Sequence, residues 1–193
     1  MNEAGEVLRE AYGCIAELWC SPRDVDRAAL EKRTTGAVAQ LQAADAEAAA
    51  LLSRFLGNPV SEEEYVELFE LDPRCPLYVG SHVFEEPKTC AKAGLSERNG
   101  YMIELLGVYR HMGLSPDRSE MPDYLPLMVE FLFLSAGSQD PVREKLIKEY
   151  MLPYLPRIRS KLDQLNTPYA GLLEALERVL RIDIAQAREV SHV

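Results

Sequence analysis

The sequence predicts an all-α fold, a single globular multi-helix bundle over residues 1–193. Three observations carry that expectation. Apolar residues recur at helical spacing through nearly every segment. Caps and prolines punctuate the chain at short intervals. The run from Leu125 to Leu134 is apolar on every side except at Glu130. A helix that is apolar all round is ordinarily buried all round, and this one is too short to cross a bilayer, which takes about 20 apolar residues. It is therefore expected at the centre of the bundle. A chain of 193 residues suits one such domain.

The elements follow in order. Val7, Ala11, Cys14, Ile15 and Leu18 mark a first helix, after which Ser21-Pro22 offers a cap with proline at the first helical position. Residues 36–56 read as one alanine-rich helix ended by Gly57-Asn58-Pro59. Ser61 with Glu64 forms a capping box ahead of the inward stripe Tyr65, Leu68 and Phe69. The outer face of that helix is acidic, as a solvated face usually is. Between Leu71 and Gly94 helical periodicity fails. Pro73, Pro76, Gly80 and Pro87 break the segment, yet Leu77, Tyr78, Val79, Val83 and Phe84 are too apolar for an idle loop. It is expected to pack on the body as an irregular connector, or to line something.

Helix returns at about Leu95 and stops at Gly113 and Ser115-Pro116. With Asp123 as N-cap the central helix places Pro126 at its third position, where a missing N–H costs no intrahelical bond. It then ends at Gly137, a residue suited to the left-handed conformation. Glu130, the one charge in the run, is expected to pair internally with an arginine such as Arg98 or Arg110, the alternative being a rim group for a cationic ligand. Asp140-Pro141 opens a further helix that Pro153 and Pro156 disturb, and Thr167-Pro168 opens the last.

Charge and cysteine usage exclude several classes. A formal net charge of −10 disfavours nucleic acid and anionic membranes, and favours a basic peptide or protein. The chain opens without a basic-then-apolar secretory signal, and its four cysteines lack metal-ligand spacing. A cytoplasmic residence without stable membrane insertion, and no cofactor or metal, is the expectation. Catalytic parts are few: no phosphate loop, H-E-x-x-H or G-x-S-x-G occurs. The alternative class is a small metal-dependent or Cys/His hydrolase centred on Cys75, His82, Glu85, Glu86 and Cys90. Against it stands an acidic, apolar mouth. Glu120 and Asp123 lie beside Met121, Tyr124 and Leu125, a combination suited to a basic-plus-apolar peptide.

On these residues the chain resembles the molybdoenzyme assembly chaperones, the TorD/DmsD/NarJ group that includes the nitrate reductase delta subunit. The carrying pieces are Tyr65 to Leu71, Cys75-Pro76-Leu77-Tyr78, Tyr101 to Gly113, and above all Glu120-Met121-Pro122-Asp123-Tyr124-Leu125-Pro126 through Phe131. The match covers roughly residues 60–137; the remainder is alike only in being helical. Many relatives have histidine where this chain has Tyr124, and the Gly80 to Pro87 loop looks more like chaperones of the second DMSO-reductase type. The resemblance implies a non-catalytic, cytoplasmic chaperone of the apo catalytic subunit of a molybdopterin oxidoreductase. Such a protein holds the subunit's N-terminal leader while molybdenum cofactor is inserted, before export or assembly. On the chain's own chemistry the leader's arginines are expected to meet Glu120, Asp123 and either Glu85 or Glu86, and its apolar stretch to pack on Leu77, Tyr78, Phe84 and Tyr124, with Pro122 in the same peptide-binding set.

Overall fold

The structure, a computed structural model, describes residues 3–85, 96–116 and 119–191. Glu86, Cys90 and His192, and the start of the helix expected at Leu95, lie outside the described residues. The chain forms α1 (Glu3–Leu18), α2 (Arg27–Leu41), α3 (Ala46–Gly57), α4 (Glu62–Phe69), a short 3-10 turn (Val79–His82), α5 (Glu97–His111) and α6 (Leu125–Leu134). It continues through α7 (Pro141–Lys145), which runs on into a π-helical segment (Leu146–Met151), then α8 (Leu155–Gln164) and α9 (Tyr169–Ser191). No strand occurs among the described residues, only an isolated antiparallel bridge between Tyr78 and Tyr124.

Caps set these boundaries, and two differ from the sequence expectation. The helix read over 36–56 is two helices, because the Asp45 carboxylate accepts from the Glu47 and Ala48 amides and starts α3 anew. Likewise α2 opens at Asp26, whose side chain accepts from Ala29 N, and Ser21-Pro22 sits in a turn ahead of it. The Ser61 and Asp140 caps are present as read, at 3.1 Å to Glu64 N and 2.8 Å to Val142 N.

Packing puts α1 at the hub, against α2, α6 and α9, while α3 lies on α2 and α9. An aromatic cluster seals the N-terminal half: Tyr169 stacks on Trp19 at 5.1 Å and meets Phe55 and Phe69 edge-on. Offset and edge-to-face pairs of this kind add about 0.5–1.5 kcal/mol each beyond their buried area. In the C-terminal half, Arg143 makes a fork of two bonds to Asp183, at 2.8 and 2.7 Å, and the Tyr12 hydroxyl donates to the same carboxylate. Arg143 is itself buried, a charge held inside the bundle by this pairing.

The central helix is central, with Leu125, Met128, Val129 and Leu132 fully buried. It starts one residue later than expected and ends at Leu134, with the left-handed Gly137 (φ 79°) closing the turn beyond. Nor is it buried all round: Glu130 is exposed and Leu134 is 57% exposed. That open face positions the candidate site.

Candidate binding groove

Asp123 organises the approach to α6. It is fully buried, and it is not the N-cap; Tyr124 occupies that position without a side-chain cap bond. Its carboxylate turns inward instead, accepting from the Gly80 amide at 3.0 Å and facing Arg98 at 3.5 Å. The two chain segments are also clipped through backbone: Val79 N donates to Asp123 O and Leu125 N to Leu77 O, at 2.9 and 2.8 Å. Gly80 is required here because a Cβ would stand 2.7 Å from Asp123 Oδ2. The Tyr109 hydroxyl holds the Pro122 carbonyl at 2.8 Å, so the whole Glu-x-Pro-Asp element is fixed from below. The expected exposed mouth at Asp123 is therefore corrected: burying this carboxylate ties the irregular 77–80 segment to α6.

Beside that strut lies a groove of about 620 Å³ between α1 and α6. Its floor is apolar, from Ala16 and Cys14 on α1 and from Leu127, Phe131, Phe133 and Leu134 on α6. Gly13 lets the two helices close, since a Cβ there would come within 3.0 Å of the Phe133 ring. The rim carries four carboxylates, Glu10, Glu17, Glu120 and Glu130, and one cation, Arg33, which is ion-paired with Glu17. Glu130 makes no ion pair with Arg98 or Arg110 and stands on this rim, where the sequence expected an internal partner. The helix turn at its own position faces the groove, so water supplies the solvation a buried pair would have replaced. Tyr124 and Pro126 close one end, and the Tyr78 hydroxyl donates to Glu120 at 2.7 Å. Burial, then this bond to Glu120, pushes the Tyr78 phenol up to about 12.

Of the eight residues singled out by sequence, Glu120 and Tyr124 line this groove. Tyr78 stands one layer behind, its ring 5.5 Å from that of Tyr124. Leu77 and Asp123 are sealed in the core, and Phe84 packs against Tyr101 and Tyr154. Glu85 is exposed but away from the groove lining, and Pro122 is held half-buried on the strut. The α1 half of the site, Glu10, Gly13 and Glu17, went unread because each looks like an ordinary surface position until α6 is laid against α1. The acidic spacing of Glu10 and Glu17, seven residues apart and so on one helix face, was the available signal.

The described parts of the hydrolase alternative, Cys75 and His82, do not form a catalytic pair. Cys75 is fully buried, and that burial pushes its thiol up to about 11, away from the reactive thiolate. His82 spends Nε2 on the Pro76 carbonyl at 2.7 Å. Among the described residues no cluster of three His, Cys, Asp or Glu side chains is arranged to hold a metal, and no helix is long and apolar enough to cross a membrane.

The described residues thus form an all-helical scaffold carrying a negatively charged, apolar-floored groove. Residues 38–175 match the model of the nitrate reductase delta subunit, and the chain belongs to that family. It is 31% identical over 115 residues to the probable nitrate reductase molybdenum cofactor assembly chaperone NarW of Escherichia coli K12, an overlap covering 60% of this chain and 45% of NarW. With the probable chaperone NarJ of Bacillus subtilis it shares 29% identity over 114 residues, 59% of this chain and 55% of that one. The NarJ chaperone of E. coli K12 is 30% identical over 118 residues, with 60% and 44% covered. The chain thus spans about half the length of the curated relatives it matches. All three carry nitrate reductase names, whereas the Gly80 to Pro87 loop had pointed to chaperones of the second DMSO-reductase type.

Proposed function

We propose that this chain is a maturation chaperone for a molybdenum enzyme. It binds the N-terminal leader of the apo catalytic subunit in the cytoplasm and assists molybdenum cofactor insertion before export or assembly. Family membership supports the chaperone class, and the relatives' names supply the molybdenum cofactor context. The observation that carries the leader-binding step is the α1–α6 groove, acidic at its rim and apolar at its floor. A leader's basic residues meet Glu130, Glu10 and Glu120, and its apolar side chains lie on Leu127, Phe133 and Leu134. Buried apolar area supplies most of the affinity, and the rim charges set approach rate and orientation.

A synthetic leader peptide titrated into the protein, read by fluorescence anisotropy at two salt concentrations, tests this. Glu130→Lys is expected to weaken binding at least tenfold at low salt, while Glu63→Ala on α4 leaves it unchanged. Equal effects of the two variants would place the leader somewhere other than the groove. Absence of leader binding by the unaltered protein would remove the leader step altogether.

A further inference from the structure

A second hollow, sharing no lining residue with the groove, has the opposite charge. It measures about 490 Å³ and is lined by Arg74, Ser81, His82, Arg157, Ser160 and Lys161, together with Pro76 and Gln164. No carboxylate lines it, on a chain whose formal net charge is −10. Its three permanent cations make no ion pair among the described residues, although most arginines elsewhere in the molecule are paired, as at Arg23, Arg33, Arg143 and Arg178. Arg157, Ser160, Lys161 and Gln164 fall on one face of α8 at spacings of three, four and seven. Like charges four apart on a helix repel, and the fold adds Arg74 to them from the turn after α4. This converging charge is also anchored. Arg157 donates to the His82 carbonyl at 3.3 Å, and the His82 ring is fixed on Pro76.

We infer that this hollow binds a small phosphorylated ligand through its phosphoryl oxygens, with a diphosphate group as the best match. Two guanidinium forks present paired N–H donors in the geometry phosphate oxygens accept, and Lys161 adds a mobile point charge. The Ser160 hydroxyl supplies a neutral donor from the same face. A diphosphate concentrates its charge in one compact group that Arg74, Arg157 and Lys161 can share, whereas an acidic chain segment would spread its charge along a stripe. The His82 ring reports occupancy. Burial, and then Lys161 and Arg98, hold the imidazole below its ordinary value, with the Pro76 carbonyl opposing. An anion seated among Arg74, Arg157 and Lys161 reverses that field and raises it.

Calorimetric titration of the full chain with inorganic diphosphate, inorganic phosphate, adenosine and guanosine diphosphates, and a hexaglutamate peptide tests the inference. All titrations are run at one ionic strength. Diphosphate is expected to bind saturably at one site, at least tenfold more weakly in the exposed double variant Arg157→Gln/Lys161→Gln, and unchanged in Lys32→Gln. The His82 proton resonances are expected to titrate at higher pH with diphosphate present. Tighter binding of a nucleoside diphosphate identifies the nucleotide as the source of the group, and equal binding identifies the free anion. Absence of saturable diphosphate binding, or an unchanged affinity in the double variant, overturns the inference. So does a hexaglutamate peptide that binds more tightly than diphosphate. Neither result bears on leader binding in the groove.

Discussion

Asp123 shows how a carboxylate placed for one purpose by local sequence is taken for another by tertiary contact. As a helix cap it would contribute about 1 kcal/mol. Turned inward, it accepts from the Gly80 amide and faces Arg98, so its loss also strands a buried backbone donor and takes an opposite charge away from Arg98. Hydrogen bonds to charged groups contribute roughly 1.5–3 kcal/mol. Asp123→Ala is therefore expected to lower urea stability by about 2–3 kcal/mol, and a loss no larger than that of an exposed cap would deny it the role of strut. His82 makes a second residue-scale test. Its folded-state value is depressed, chiefly by burial, so the unfolded chain takes the proton more readily. The stability it contributes is complete above the unfolded value of about 6.5 and is lost as pH falls below it. Urea midpoints measured from pH 7.5 to 5.5 are expected to fall, and to fall less in His82→Gln. Parallel slopes in the two proteins would show that another group governs this window.

At the scale of elements, what the sequence made legible was whatever depends on neighbours along the chain. Ser61 before Glu64 and Asp140 before Pro141 declare themselves within a few residues, and each holds in the structure, while the apolar run of α6 gives a central helix that is open on one face. Asp45 was missed because an alanine-rich surround disguises its cap; the helical signal runs straight across it. Of the candidate groove, the sequence made only the entrance to α6 legible. Glu120 and Tyr124 lie in a segment whose proline and carboxylates announce a helix entrance. Glu10, Gly13 and Glu17 acquire meaning only when α1 packs on α6, because the groove is a property of that pair and of neither helix alone. Glu130 was misassigned for the same reason. Hydrophobicity on all sides predicts enclosure only if every neighbouring helix closes over it, and here Gly13 and Phe133 bring the helices together while leaving one face open.

The whole molecule depends on keeping α1 in register, since the groove exists only while α1 and α6 hold their separation. The Arg143 fork on Asp183, with Tyr12 donating to the same carboxylate and Ser135 accepting from Arg143 Nε, ties α1, the turn after α6, α7 and α9 in one buried network. Buried pairs of this kind are weak sources of net stability when whole, because two charges must be desolvated, yet costly when half-removed. Tyr12 is held far above its ordinary value by burial and then by the Asp183 charge, so it stays a neutral donor at every physiological pH. Asp183→Ala, which leaves the Arg143 charge in a dry interior, is expected to cost about 3–5 kcal/mol in urea unfolding. The double replacement Arg143→Met/Asp183→Leu is expected to recover most of that loss, since no stranded charge remains. Leader affinity then separates the two possible duties of the network. If it only stabilises, the double variant binds leader as the unaltered protein does. If it fixes the α1–α6 spacing, the double variant regains stability but binds leader more weakly, because apolar replacements restore packing without restoring Tyr12's anchored position.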